Sequence, residues 1–211
     1  MKISNLTSEN ASIQNRQEFM TEILLGLGSN PKTISAKYFY DDAGSELFQK
    51  ISQHNDYYVT KTEFLILQQH SPELASAIKD EEIDIIELGA GDGHKSRLII
   101  NSFLDKGTKV NFYPIDISEK AMVLMGEHLA VNHQLNINGI VGDYFQGLNL
   151  VKGNSSNKKL VLFLGSNIGN FNRTQTQEFL KKLWLNLDSG DHVLIGFDLK
   201  KDFDILNRAY N

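Results

Sequence analysis

From Ile83 onward, short apolar runs alternate with stretches whose apolar residues recur every three or four positions. The runs Ile83–Leu88, Val110–Ile115, Ile137–Val141, Leu160–Leu164 and His192–Phe197 have the pattern of strands buried on both faces. Between them, Ala121, Leu124, Met125 and Leu129 mark the inner face of one helix, with Ser118 as its cap. Phe179, Leu180, Leu183, Trp184 and Leu187 mark another, opened by Asn172 with Gln175 at the capping-box position and stopped at Ser189-Gly190. This rhythm predicts an α/β fold, a doubly wound parallel sheet with helices on both faces. The earlier residues show helical spacing without strand alternation. Phe19, Ile23 and Leu24 belong to one helix, and Phe64, Leu65 and Leu67 to a second that is expected to break at Ser71-Pro72. The expected organisation is an N-terminal helical region, residues 1–82, followed by the sheet domain, 83–211. Residues 31–63, aromatic and Gly-containing, read as a structured loop region, and the polar stretch 152–159 as an exposed loop.

Composition narrows the chemistry. The 211 residues are 41% hydrophobic and 22% charged, enough for one domain with a sizeable core. The net charge of −5, with Lys and Arg scattered among acids, argues against a nucleic-acid partner. Cysteine is absent, which removes disulfides, thiolate metal sites and a cysteine nucleophile together. The six histidines have no ligand spacing with acids, so no metal is expected. No segment approaches about 20 uninterrupted apolar residues and the N-terminus does not read as a signal peptide, so the expectation is a cytoplasmic protein without a membrane partner.

The first strand runs into "IIELGAGDGHKSR", with Gly89, Gly91 and Gly93 at alternate positions. In a doubly wound sheet the first β-α turn is the usual cofactor contact, and glycine there lets a ligand approach the backbone. The spacing lacks the Gly-x-Gly-x-x-Gly of pyrophosphate binding, and no Walker pattern occurs. Glu87 precedes the loop, where a carboxylate could face a cationic ligand group. Asp116 ends the second strand, where Rossmann-like folds place an acid for the ribose hydroxyls. Asp143 and Tyr144 follow the third strand, an acid for an exocyclic amine and a ring for adenine. Together these describe a nucleoside pocket without a pyrophosphate site, which suits S-adenosylmethionine.

The segments "PKTISAKYFYDDAGSELFQKI", "YYVTKTE", "IIELGAGDGHKSR", "YPIDIS", "VGDYF", "LFLGSNIGNF" and "GFDLKKD" resemble the S-adenosylmethionine-dependent histidine-specific methyltransferases, a family that includes the ergothioneine-pathway enzyme acting on the α-amine of histidine. The resemblance implies cofactor contacts at Gly89, Gly91, Lys95, Asp116, Asp143 and Tyr144, with Lys95 facing the methionyl carboxylate. It implies amino-acid substrate contacts at Tyr57, Gly165, Asn170 and Tyr210, with Tyr40 and Asn170 as the catalytic candidates. Read alone, Lys95 is a solvated lysine, Asn170 a turn residue, and Tyr40 and Tyr57 packing aromatics. The resemblance also implies further strands and imidazole-gripping residues beyond Asn211. The expectation is therefore a five-stranded sheet with an open edge that invites self-association or a partner chain. Two functional readings follow: an active α-amine methyltransferase, or a cofactor-binding protein that is non-catalytic or completed by a partner. An NAD-dependent oxidoreductase is opposed by the glycine spacing.

Overall fold

The computed structural model describes residues 1–6, 9–39, 42–129 and 132–210. Its centre is a sheet of six parallel strands: β1 (Lys2–Asn5), β2 (Glu82–Leu88), β3 (Lys109–Asp116), β4 (Leu135–Val141), β5 (Lys158–Phe163) and β6 (His192–Ile195), in the order β1-β4-β3-β2-β5-β6. The helices are α1 (Glu9–Gly28), α2 (Asp42–Ser52), α3 (Tyr58–Ala77), α4 (Ser96–Leu104), α5 (Glu119–His128), α6 (Tyr144–Asn154), α7 (Arg173–Leu185) and α8 (Phe203–Tyr210). Strand residues alternate between two cores. Ile83, Ile85, Val110, Phe112, Leu160 and Leu162 pack with α3, α4 and α5, whereas Ile86, Leu88, Ile115, Val161 and Phe163 pack with α6 and α7. Both faces are covered, which is why the central strands read as continuous apolar runs. The order reverses between β2 and β5, and this topological switch point fixes where a ligand crevice opens.

The structure corrects several sequence expectations. The described residues form six strands rather than five, because Lys2–Asn5 pairs with β4 and Leu6 N donates to Val141 O. Four residues on a sheet edge, three of them polar, carry too short a period to be read. Strands also begin earlier than their apolar runs, because polar residues at their amino ends bond to one another. Asn111 donates to Glu82 and Asp84, Asn136 to Asn111, and Asn157 to Asp84. At the other end β6 stops at Ile195 rather than Phe197, since its partner β5 ends at Phe163.

Pro72 does not break α3. Leu67, Ser71 and Ala75 form a buried stripe across it, and Ser71 Oγ donates to Leu67 O at 2.6 Å. The region 31–63 contains a full helix, α2, and 152–159 shrinks to three linking residues between α6 and β5. Helix α6 was hidden by Gly147, which serves packing rather than a turn: a Cβ there would lie 2.6 Å from Ile115 Cδ1. Helix α7 does open with the Asn172–Gln175 capping box, but only Phe179 and Leu183 of its expected inner face are buried. Leu180 and Trp184 point outward, Trp184 at 77% exposure, because the helix meets the sheet along a single i, i+4 stripe. Phe19, Leu24 and Leu65 are likewise exposed. Of the inner face proposed for α5, Met125 and Leu129 are buried; the side chains of Ala121 and Leu124 lie outside the described ones.

Candidate functional site

The glycine turn after β2 is held in a conformation that requires glycine. Gly89, Gly91 and Gly93 have φ of 74°, 55° and 70°, in the left-handed region that L side chains disfavour. Gly89 N donates to Ile115 O at 2.9 Å, which ties the turn to the end of β3. A Cβ on Gly89 would sit 2.8 Å from the Tyr144 hydroxyl and 3.9 Å from Asn167 Nδ2, so the turn passes directly beneath two polar side chains from other elements.

Asp116 lies at the carboxyl end of β3, half-buried. Its Oδ2 accepts from Gly91 N at 3.2 Å and its Oδ1 from Ser118 N at 3.0 Å. Burial pushes its carboxyl above the ordinary aspartate range against the opposing pull of these backbone bonds. Asp143 caps α6, with Oδ1 accepting from Phe145 N and Gln146 N at 2.9 and 3.3 Å. No hydrogen bond among the described residues uses Asp143 Oδ2, and this exposed oxygen has capacity for a donor. Tyr144 packs edge-on against Phe163, its centroid 6.0 Å away, while its hydroxyl reaches the glycine turn.

A charged cluster occupies the switch point between β2 and β5. Lys95, immediately before α4, donates from Nζ to Glu63 Oε2 at 2.6 Å. Both oxygens of Glu63 lie 2.9 Å from Gly165 N in the turn after β5. A Cβ on Gly165 would approach Lys95 Nζ to 3.4 Å, and one on Gly196 would overlap Glu63 Oε1. Phe64, the next residue on α3, stacks on His94 of the glycine turn with centroids 4.7 Å apart and planes 11° from parallel. Helix α3 is thereby pinned over the loop.

A second cluster forms around Asp198, in the segment after β6. Its Oδ2 accepts from the Tyr58 hydroxyl at 2.5 Å and from the Tyr210 hydroxyl at 2.9 Å, and Oδ1 accepts from Lys201. Burial by itself would raise the Asp198 carboxyl, but the bonds from Lys201, Tyr58 and Tyr210 prevail and hold it below the ordinary range. Asp198 N donates to Ser166 Oγ, which links this cluster to the turn after β5. Tyr57 meets Tyr210 edge-to-face at 6.0 Å and Phe48 at 6.1 Å.

The structure thus brings Gly89, Gly91, Lys95, Asp116, Asp143, Tyr144 and Gly165 to one edge of the sheet, and separately pairs Tyr57 with Tyr210. Asn170 ends the single turn Asn167–Asn170 and is exposed, with no hydrogen bond to either tyrosine among the described residues. Tyr40 lies outside the described residues. Glu87 is not a ligand-facing acid: it is 3% exposed beneath the loop, its Oε2 has no hydrogen-bond partner among the described residues, and burial pushes its carboxyl up to about 8. Sequence reasoning missed Glu63, Asn167 and Asp198. Each sat inside a quoted segment, as the acid closing "YYVTKTE", the first asparagine of "GSNIGN" and the first acid of "GFDLKKD", and their position in these segments was the only available signal. Among the described residues no group of histidines and acids could hold a metal ion, and no helix is long and apolar enough to cross a membrane.

Comparison with known proteins identifies the family. Residues 19–211 match the model of the family described as histidine-specific methyltransferase, S-adenosylmethionine-dependent. The chain is 35% identical to histidine N-alpha-methyltransferase of Mycobacterium tuberculosis, over 90% of this chain and 58% of that protein. It is 32% identical to ergothioneine biosynthesis protein 1 of Neurospora crassa, over 86% of this chain and 21% of that protein. It is 26% identical to 4-dimethylallyltryptophan N-methyltransferase of Claviceps purpurea, over 88% of this chain and 54% of that protein. The chain therefore spans a little over half the length of the mycobacterial relative. With a family model matched along nearly all its length, the chain belongs to the histidine-specific, S-adenosylmethionine-dependent methyltransferases.

Proposed function

We propose that this chain carries the cofactor site and part of the acceptor site of an N-methyltransferase acting on the α-amine of histidine or a related amino acid. The observation that carries the reading is the switch-point crevice itself. There a left-handed glycine turn, a half-buried carboxylate at the end of the next strand and a lysine before α4 line one sheet edge. These residues fit S-adenosylmethionine. Gly91 faces open space, with nothing within 4 Å of where its Cβ would lie, as close approach of a nucleoside requires, and Asp116 retains lone pairs beyond those engaged by Gly91 and Ser118 to accept from ribose hydroxyls. Asp143 Oδ2 and the Tyr144 ring suit the adenine end, and Lys95 suits a carboxylate.

When bound, the cofactor supplies an electrophilic methyl group on sulfur. The chain's own work is alignment and exclusion of water, because a neutral amine displaces such a methyl in line without a covalent enzyme intermediate. Tyr57, Tyr210 and Asn170 are the residues proposed to hold the acceptor; Tyr57 and Tyr210 offer ring faces that tolerate a cationic methylated product. The carboxylate of Asp198, held ionised by its three donors, fixes the Tyr210 hydroxyl at the border of this region.

Calorimetry with S-adenosylhomocysteine and with NAD tests the cofactor. Binding of the first alone is expected, with Asp116→Ala weakening it by about 1–3 kcal/mol; binding of NAD alone, or no change in the variant, refutes the assignment. Mass spectrometry of histidine incubated with the chain and S-adenosylmethionine tests the reaction. Cofactor binding without any methylated product would favour the non-catalytic or partner-completed reading.

A further inference from the structure

Glu63 and Lys95 form an ion pair whose surroundings are unusual for a structural strap. It lies at the carboxyl edge of the sheet, at the switch point, and neither head is fully enclosed: the Lys95 and Glu63 side chains are 22% and 13% exposed. The backbone around them is stripped of side chains on two sides, since Gly165 and Gly196 each face the pair where a Cβ would crowd it. Glu63 is also pre-aimed. Gly165 N holds both its oxygens, and the Phe64–His94 stack fixes the helix that carries it. Two rigidly placed opposite charges, partly dry and therefore weakly screened, pack closely against backbone that glycine keeps free of Cβ atoms.

We propose that Glu63 and Lys95 together read a zwitterion, with Lys95 taking the α-carboxylate and Glu63 the α-ammonium of the cofactor's methionyl end. This rests on the cofactor reading above and assigns Glu63 a binding role in it. The physical reason is charge balance. A ligand bearing only a carboxylate competes with Glu63 for Lys95 and brings a like charge against Glu63. A ligand bearing both charges adds a second ion pair antiparallel to the first and leaves no charge uncompensated in a half-buried site. Lys95 has three N–H donors and Glu63 uses one of them, while a carboxylate has about four acceptor positions, so both heads have capacity left.

The test compares S-adenosylhomocysteine with its analogue lacking the amine, by calorimetry on the intact chain. The wild type is expected to bind the amine-bearing ligand at least tenfold more tightly. Glu63→Gln should weaken that ligand about tenfold while tightening the deaminated analogue, whose carboxylate no longer competes with Glu63 for Lys95, and Lys95→Met should weaken both. Equal wild-type affinity for the two ligands overturns the proposal while leaving the cofactor reading intact, and does so without any variant. Equal weakening of both by Glu63→Gln also overturns it, because that is the signature of a purely structural role. If the wild type binds neither ligand, the cofactor reading fails and the proposal falls with it.

Discussion

Replacing Glu87 by glutamine should change the pH dependence of stability in a direction that burial dictates. Glu87 lies opposite Pro114 and Leu162 in the middle of the sheet, one residue before the end of β2, and is 3% exposed. Desolvation dominates its environment, outweighing a bond from Ser96 and the attraction of Lys95, while the charges of Asp92 and Asp116 add to the upward shift; its carboxyl moves from 4.5 to about 8. The sign follows from proton counting. Between about 4.5 and 8 the folded chain holds this proton and the unfolded chain has lost it, so stability falls as pH rises through that window. The contribution is fully present below the unfolded value and gone above about 8. One proton is worth about 1.4 kcal/mol per pH unit, so the wild type should lose about 3 kcal/mol relative to Glu87→Gln between pH 5 and 7. Glutamine is nearly isosteric with the protonated acid and keeps a donor, and every other titrating group cancels in the difference. Urea unfolding of both proteins, followed by circular dichroism at pH 5, 6, 7 and 8, measures it. Parallel stability profiles would refute the reasoning, and would mean that Glu87 is ionised and compensated beneath the loop.

Gly89→Ala should destabilise the chain by about 1–2 kcal/mol from the left-handed backbone alone, with a further loss from the clash with the Tyr144 hydroxyl. Thermal melts of Gly89→Ala and of Gly89→Ala combined with Tyr144→Phe check this; the double variant should recover the part due to the clash and none of the part due to φ. Asn172→Ala should cost about 1 kcal/mol by opening the capping box of α7, a loss that urea unfolding measures.

How much of the molecule was legible depended on the kind of force holding each part. The central strands were readable because burial on both faces demands consecutive apolar residues, a signal carried by the sequence position by position. The Asn172–Gln175 box was equally local, since both partners lie within one turn. Helix α6 was not readable, because Gly147 looks the same whether it serves a turn or, as here, makes room for Ile115. The short edge strand β1 was not readable either: its stability comes from pairing with β4, far along the chain.

The sequence by itself therefore determined the doubly wound sheet, the glycine turn that must remain free of Cβ atoms, and the position of Asp116 at a strand end. Only the tertiary structure decided which polar groups meet. Lys95 and Glu63 are 32 positions apart, Gly165 and Glu63 are 102 apart, and Tyr58 and Asp198 are 140 apart. Charged side chains that pair across such separations follow no period, because their partners are chosen by how the strands are ordered. The reversal between β2 and β5 set Glu63 against Lys95, and with it the character of the crevice.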